Sequence, residues 1–412
     1  MQLQTVRGTK DLFGKDILKY NYIIGLAKKI SKLYNFKEII TPIFEFSEVF
    51  ERNLGDSSDV VMKEVYKFED RGGNFLSLRP EFTAGVVRSI ISNPELNNKF
   101  PLKLFSYGPV FRYDRPQKGR QRQFNQVNFE YFGNESYMAD VNILQMAYEF
   151  LQNLELKNIK LEINSLGCEK SRENFETALK EYFEKYKSDL SEDSKIRLEK
   201  NVLRILDSKD EKDKKLLVNA PIISDYYTND DKEFFNNILE KLTFLNINFE
   251  VNNLLVRGLD YYTSTVFEFT TEDLGAQSTI LAGGRYDKLL GQMGGPNTPA
   301  IGCAAGVERL MLLLNKELEE DKTIAIIPIE DENIDFCLNL QKKLFENNII
   351  CELITNGKVK KKMNIANKIN SKFAIIVGED EVKNEILTVK NLKEAKEEKI
   401  DLAEIVKYLD KN

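Results

Sequence analysis

A chain of 412 residues, 42% hydrophobic and with a formal net charge of -6, has the material for a large core and for two or three domains. A pI near 5.3 excludes a uniformly basic nucleic-acid coat, so any such contact has to come from local patches. The chain has no histidine, which excludes Ser-His-Asp and Cys-His nucleophiles, imidazole acid–base chemistry and the commonest transition-metal ligand together. Chemistry must then rest on Arg, Lys, Tyr, carboxylates and bound metal, the inventory of electrostatic and positioning catalysis.

Taken in chain order, DILKYNYIIGLAKKISKLYNF places Ile23, Ala27, Ile30 and Tyr34 on one face of an amphipathic helix. FKEIITPIFEF follows as a strand, with Pro42 marking an edge, a bulge or the strand's end because it cannot donate to a ladder. Lys103 to Val110 and Gln123 to Tyr131 form two strands of a long antiparallel hairpin, joined by the basic loop Arg112 to Arg122. In the second strand the two-residue period puts Val127, Phe129 and Tyr131 on one face and Phe124, Gln126, Asn128 and Glu130 on the other. From Glu169 to Lys215 dense charge without proline, with Phe175, Leu179, Phe183 and Tyr186 at helical spacing, predicts a helical insertion. Strand patterns return at Leu254 to Val256, Ser264 to Thr270 and Gln277 to Ala282, before an apolar helix at Val307 to Leu314. Beyond the charged link NKELEEDK, alternating strands and helices predict a separate parallel α/β domain from Lys322 onward.

Cys168, Cys303, Cys337 and Cys351 form no CxxC pair and read as free, mostly buried thiols, and no Cys/His zinc pattern exists. No apolar run approaches the roughly eighteen residues of a membrane span. MQLQTVRGTKDLFGKD has neither a signal-peptide nor a transit-peptide composition, so a soluble cytoplasmic protein without a membrane partner is expected.

Several segments carry chemistry. Arg112, Arg115, Lys118, Arg120 and Arg122 form a run suited to phosphate oxygens, and on its own such a run is as well explained by a solvated loop. In SLRPEFTAG, Arg79, Glu81 and Thr83 alternate, and Pro80-Glu81 equally suits a helix start. LLVRGLDYYTSTVFEF sets Arg257 before a glycine and two tyrosines, and LAGGRYD sets Gly283 and Gly284 before Tyr286. AIGCAAGVERL leads a small-residue strand into a helix bearing Glu308 and Arg309, where close packing is the plainer explanation.

Taken in order, these segments resemble the three signature motifs of class II aminoacyl-tRNA synthetases: the helix, strand and Pro42; the FRYDRP...RQF hairpin; and GVERL. LVRGLDYYTSTVFEF and LAGGRYD resemble the two peptides that distinguish histidyl-tRNA synthetases from their prolyl, threonyl and glycyl relatives, and the likeness spans essentially the whole chain. It implies an α+β fold in which residues 1–321 form a catalytic domain, an antiparallel sheet flanked by helices and interrupted at about 169–235 by a mainly helical insertion. Residues 322–412 would form an α/β anticodon-binding domain. A homodimer is implied as well, with substrates L-histidine, ATP and tRNA(His), Mg²⁺ accompanying ATP, and no zinc.

Residue by residue, the resemblance puts Arg112 at the α-phosphate, Arg309 at the γ-phosphate, Phe124 against adenine and Arg120 near the polyphosphate. Asp114 stands where relatives have glutamate, one methylene longer, which lengthens a contact to the adenine amino group. Glu81, Thr83 and Gln126 would surround the α-amino group of histidine, with Glu130, Tyr262 and Tyr286 around its imidazole. Arg257 would reach both the amino acid and the α-phosphate, acting with Arg112 as an electrostatic catalyst. Gln117 and Arg122 would meet the 5′ end of the tRNA, and Lys358, Lys360, Lys361 and Lys362 its anticodon end. Phe82, bulkier than the residue usual there, would narrow the pocket entrance. Three rivals remain on this evidence: the synthetase-like, histidine-binding regulatory subunit of ATP phosphoribosyltransferase, which normally lacks the last domain; another class II synthetase; and a catalytically idle interaction protein, which would have broken ATP contacts.

Overall fold

The structure, a computed structural model, describes residues 3–51, 64–259 and 261–411. Ile23, Ala27 and Ile30 recur at the helical interval and are buried along α1 (Lys15–Leu33), which Asn35 ends with φ 62°. FKEIITPIFEF does not form one strand. It splits into β1 (Lys37–Glu38) and β2 (Phe44–Phe46), which belong to different sheets. Pro42 lies in the break, and the carbonyls of Thr41 and Pro42 accept from the buried Arg79 at 2.9 and 3.4 Å. After the single turn α2 (Glu48–Glu51) come β3 (Lys67–Glu69) and β4 (Phe75–Leu78), giving a small sheet ordered β2-β4-β3. Two helices follow, α3 (Thr83–Ser92) and the short α4 (Pro94–Asn97) with proline in its first turn.

The predicted hairpin is β5 (Leu102–Phe111) and β6 (Gln123–Phe132), antiparallel along ten paired residues. Next come α5 (Tyr137–Asn153), capped by the Ser136 hydroxyl, and β7 (Lys160–Ser165). The helical stretch then runs through α6 (Glu169–Lys185), α7 (Glu192–Lys200), α8 (Glu211–Leu217) and α9 (Asn229–Phe244). The chain returns to the sheet with β8 (Phe249–Val251), β9 (Thr265–Thr270), β10 (Thr279–Arg285), the turn α10 (Leu289–Gln292), β11 (Ala300–Gly306) and α11 (Val307–Leu313). Among the described residues the large sheet is ordered β1-β5-β6-β11-β10-β9-β7-β8, antiparallel except at its two outer pairs. Leu254 to Val256 is not a strand: Leu255 and Val256 are buried in the core, and their apolar character serves packing instead of a ladder. That core is continuous across the insertion, joining Phe175, Leu179, Leu198, Val202 and Ile205 to Val266, Leu289 and Tyr286.

The chain divides into two compact units, Met1–Glu317 and Leu318–Asn412. The second contains β12 (Ile324–Pro328), α12 (Ile334–Glu346), β13 (Cys351–Leu353), α13 (Val359–Lys368), β14 (Phe373–Val377), α14 (Glu379–Asn384), β15 (Ile386–Asn391), β16 (Lys396–Asp401) and α15 (Ile405–Lys411). Its sheet, β13-β12-β14-β15-β16, is parallel only through β14. The all-parallel expectation fails at the end because six residues of α14 cannot carry a crossover, and β15 returns antiparallel.

Behind the centre of the large sheet, Arg285 and Asp140 form an ion pair, 2% and 0% exposed. Arg285 also donates to the Asn134 and Ser136 carbonyls at 3.2 Å each and to Asp287 at 3.1 Å. Every charge there has a partner, and removing Asp140 leaves a buried guanidinium with only the partly exposed Asp287 as counter-charge. Asp140→Ala is therefore expected to cost about 3–5 kcal/mol of stability, read from urea unfolding followed by circular dichroism.

Candidate active site

Register explains why the sheet has a hollow. Gln126, Asn128 and Glu130 on β6 lie opposite Gly306, Ala304 and Gly302 on β11. Ala304 and Gly302 in turn face Ala282 and Gly284 on β10, and Ala282 faces Glu268 on β9. One sheet face thus has polar residues at either side and small ones between. The space above them is a cavity of about 380 Å³, walled by the hairpin loop, by residues 257–259 with Tyr261 and Tyr262, and by the first turn of α11. A Cβ on Gly302 would overlap the Glu130 carboxylate, and one on Gly283 the Gly302 carbonyl, so glycine is required at both.

Arg112, Arg120, Arg257 and Arg309 all line this cavity, although they come from three separate segments. Arg112 donates to the Pro80 carbonyl at 2.9 Å and lies over the Phe124 ring, 5.4 Å from its centre. Arg309 donates to the Gly119 carbonyl at 3.1 Å and to that of Thr279. Arg257 pairs with Glu268, which also accepts from the Thr279 hydroxyl. Arg120 pairs with Asp114 and, at 3.4 Å, with Glu64, so part of its charge is already answered. Burial pulls the pKa of Arg309 down, and Arg112 and Arg120 pull it further. Burial also lowers that of Arg112, whereas at Arg257 burial, the largest single influence, is outweighed by Glu268, Tyr262 and Tyr261 together, and the pKa rises. Among the described residues the buried Nε of Arg257 has no hydrogen-bond partner. Clustered cations of this kind favour a polyanion.

The other end backs onto Glu130, which is 1% exposed and stands behind the lining instead of in it. Its oxygens accept from the Thr83 hydroxyl at 2.5 Å, the Asn128 amide at 3.0 Å and the Tyr286 hydroxyl. Glu81 caps α3 by accepting from the Thr83 and Ala84 backbone amides at 2.5 and 2.8 Å, while still lining the cavity. The Tyr261 and Tyr262 rings stand 4.7 Å apart, and Tyr261 meets Tyr286 edge-on at 5.6 Å, forming an aromatic wall. The Oε1 of Gln126 is buried and accepts from nothing among the described residues, leaving an acceptor for a cation. Burial raises Glu130 to about 7, against the pull of its three donors.

Comparison with known proteins agrees with this geometry. The family model described as histidyl-tRNA synthetase matches residues 8–310, and an anticodon binding domain matches residues 323–412. A histidine–tRNA ligase of Wolbachia pipientis is 52% identical over 401 residues, 97% of each chain. One from Rickettsia conorii is 47% identical over 412 residues, covering 100% of this chain and 99% of its own. The chain belongs to the histidyl-tRNA synthetase family. The crystal structure of the apo histidyl-tRNA synthetase of Staphylococcus aureus, 33% identical, superposes with a TM-score of 0.83 and covers 99% of both chains. Relatives of that kind over the full length, last domain included, favour a synthetase over the regulatory-subunit reading.

Within this histidyl-tRNA synthetase fold, not every expected residue reaches the cavity. Phe82 does not narrow its entrance: it is 1% exposed, with the Arg79 guanidinium 4.2 Å from its ring centre. Arg79, read as facing the same way as Glu81, donates instead to the Pro109 and Thr41 carbonyls. Gln117 and Arg122 lie in the hairpin loop outside the cavity lining. Gln117 bridges to Arg120, and Arg122 stacks on Tyr113 at 4.0 Å. Lys362 is buried and donates to the Pro328 carbonyl at 2.8 Å, which removes it from the lysines available to phosphates. Reading the sequence missed Tyr261, Leu259, Asp207 and Lys209 in the lining, and Glu268 behind Arg257. Tyr261 sat beside the tyrosine chosen; Asp207 and Lys209 had no signal, because only tertiary folding brings the insertion here.

The raised pKa of Glu130 has a pH signature. Its ordinary value is 4.5, so the protonated form is favoured on folding, and the associated stability is fully present below 4.5 and lost as pH rises through about 7. The unliganded protein should lose up to about 3 kcal/mol between pH 5 and 8.5 from this group. Glu130→Gln should abolish that component, as read from urea unfolding at the two pH values.

Proposed function

We propose that the protein activates L-histidine with ATP, giving histidyl-adenylate and pyrophosphate, and then transfers the histidyl group to tRNA(His). The observation that carries this reading is the convergence of Arg112, Arg257 and Arg309 on one cavity whose far end is lined by Thr83, Tyr262 and Tyr286, with Glu130 directly behind the Thr83 and Tyr286 hydroxyls. A triphosphate meets the cations, and Phe124 offers its ring to adenine beside Arg112. The substrate ammonium lies against Glu81, Thr83 and the unpartnered Gln126 oxygen. Its imidazole, with one donor and one acceptor when neutral, suits a carboxylate and a phenol.

In the first step an oxygen of the histidine carboxylate bonds to the α-phosphorus while the bond to pyrophosphate breaks. Negative charge grows on the α-phosphate, and Arg112 with Arg257 stabilises it; the free Nε of Arg257 is a donor already desolvated for that purpose. In the second step the terminal ribose hydroxyl of tRNA displaces AMP. Neither step asks for an imidazole base, consistent with a chain that has none.

Mg²⁺ would arrive with ATP and neutralise phosphate charge. The oxygen donors present fit it: Asp207 and Glu268 lie near Arg257, and Glu268 is already engaged by Arg257 and Thr279, so phosphate oxygens and water would supply most ligands. In this reading residues 1–321 form the catalytic domain with its insertion, and residues 322–412 bind the anticodon, with exposed Lys358, Lys360 and Lys361 available to phosphates. Gln117 and Arg122 remain the proposed contacts to the 5′ end of the tRNA, and the cytoplasm the proposed compartment.

A homodimer is part of the proposal. Ile40, Phe44, Phe46 and Phe68 are 84%, 54%, 58% and 43% exposed; register puts Phe44, Phe46 and Phe68 on one face of the β2-β4-β3 sheet, an apolar area that a second copy would cover. Light scattering should give twice the chain mass for the wild type, and Phe46→Asp should shift it toward monomer. ATP–pyrophosphate exchange run separately with each amino acid should respond to histidine alone. Arg257→Ala should lower kcat in that assay by about 10² to 10³ with little change in KM for ATP. Exchange supported best by another amino acid would remove the histidine assignment.

A further inference from the structure

The helical insertion touches the reaction centre through two arginines. Arg204, in the 3₁₀ turn Val202–Ile205 after α7, donates from Nη1 to the carbonyl of Arg257 at 3.1 Å. Arg172, on α6, donates from Nη1 to the carbonyl of Tyr262 at 3.1 Å. These two carbonyls bracket the loop that presents both side chains to the cavity. Among the described residues, no backbone–backbone hydrogen bond involves residues 257–262; the nearest are Leu255 to Asn252 and Thr263 to Arg285. The Arg204 guanidinium also lies beside Gly258, 3.4 Å from where a Cβ would stand there, an ordinary contact distance. Asp207, from the same segment of the insertion, lines the cavity and senses both Arg204 and Arg257 electrostatically.

A loop without a ladder of its own has to be held by something else. Here the holding groups are charge-assisted donors, the stronger kind, and they stand on elements whose side chains share the core with Tyr261 and Tyr262. We infer that Arg204 and Arg172 are positioning residues for amino-acid activation, fixing Arg257 and Tyr262 respectively, so that the insertion is part of the first chemical step. The inference rests on the function proposed above for Arg257 and Tyr262.

The test is a double-mutant cycle in histidine-dependent ATP–pyrophosphate exchange with the full chain, using Arg204→Ala and Arg204→Lys in the wild-type and Arg257→Ala backgrounds. Arg204→Ala should lower kcat about tenfold or more while KM for ATP stays within about twofold, the loss of one charged hydrogen bond. Arg204→Lys should recover much of it, because a carbonyl needs only one donor. In the Arg257→Ala background the added Arg204→Ala should cost less than about twofold, since the group it positions is gone. Arg172→Ala should raise KM for histidine more than it lowers kcat. Equal losses from Arg204→Ala in both backgrounds, or none in either, would overturn the inference. Should Arg204→Ala lose its thermal transition, the Lys variant decides: its deficit must vanish when Arg257 is absent. A wild type that exchanges nothing with histidine would instead defeat the proposed function, and the two failures are distinct.

Discussion

The gathering of guanidinium groups around one hollow is the constraint on which the rest of the structure turns. Arg112, Arg120, Arg257 and Arg309 repel one another, and burial depresses the charged forms of Arg112 and Arg309. Such an arrangement persists without its ligand only because each cation is separately tied: to the carbonyls of Pro80, Gly119 and Thr279, or to Glu268, Asp114 and Glu64. The ties orient the forks before a substrate arrives, so little reorganisation remains for the transition state. Stability held in this unfavourable form becomes affinity when a polyphosphate enters.

The amino-acid end follows the opposite logic. Glu130 is hydrogen-bonded by two hydroxyls and an amide in place of a cation, and burial pushes it toward its neutral form. A carboxylate held that way is sensitive to one added donor, and an imidazole N–H is such a donor. The two ends share a sheet face, and glycines at 283 and 302 permit both the sheet's close approach and the position of the carboxylate. Rejection of other amino acids would come from leaving these buried groups unpaired, a strong discriminator in polar pockets.

Much was legible before any coordinates. The period-2 pattern of β6 assigned its polar face, and helical spacing found α1 and α6, because both rest on local periodicity that burial then rewards. Errors fell where tertiary demand overrode local pattern. The strand through Pro42 broke because Arg79 claims the carbonyls on either side. Leu254 to Val256 looked like a strand but feeds a core, and Lys362 looked like part of a basic surface but points its ammonium inward. Phe82, expected at a pocket mouth, is buried under an arginine instead.

By itself the sequence determined the excluded chemistries, the hairpin with its cationic loop, and, through motif resemblance, the family and the residues that would meet ATP and histidine. Those depend on residue type and short-range spacing, which the chain states directly. Only the tertiary structure decided that the arginines share one cavity, that Glu268 neutralises Arg257 and that the insertion supplies Asp207, Lys209, Arg172 and Arg204 to the same neighbourhood. Apart from the Arg257–Glu268 pair, which closes over the 11 residues between a loop and β9, these are meetings of segments far apart in the chain. No local pattern encodes them, because they are settled by strand order and by which surfaces must leave water together.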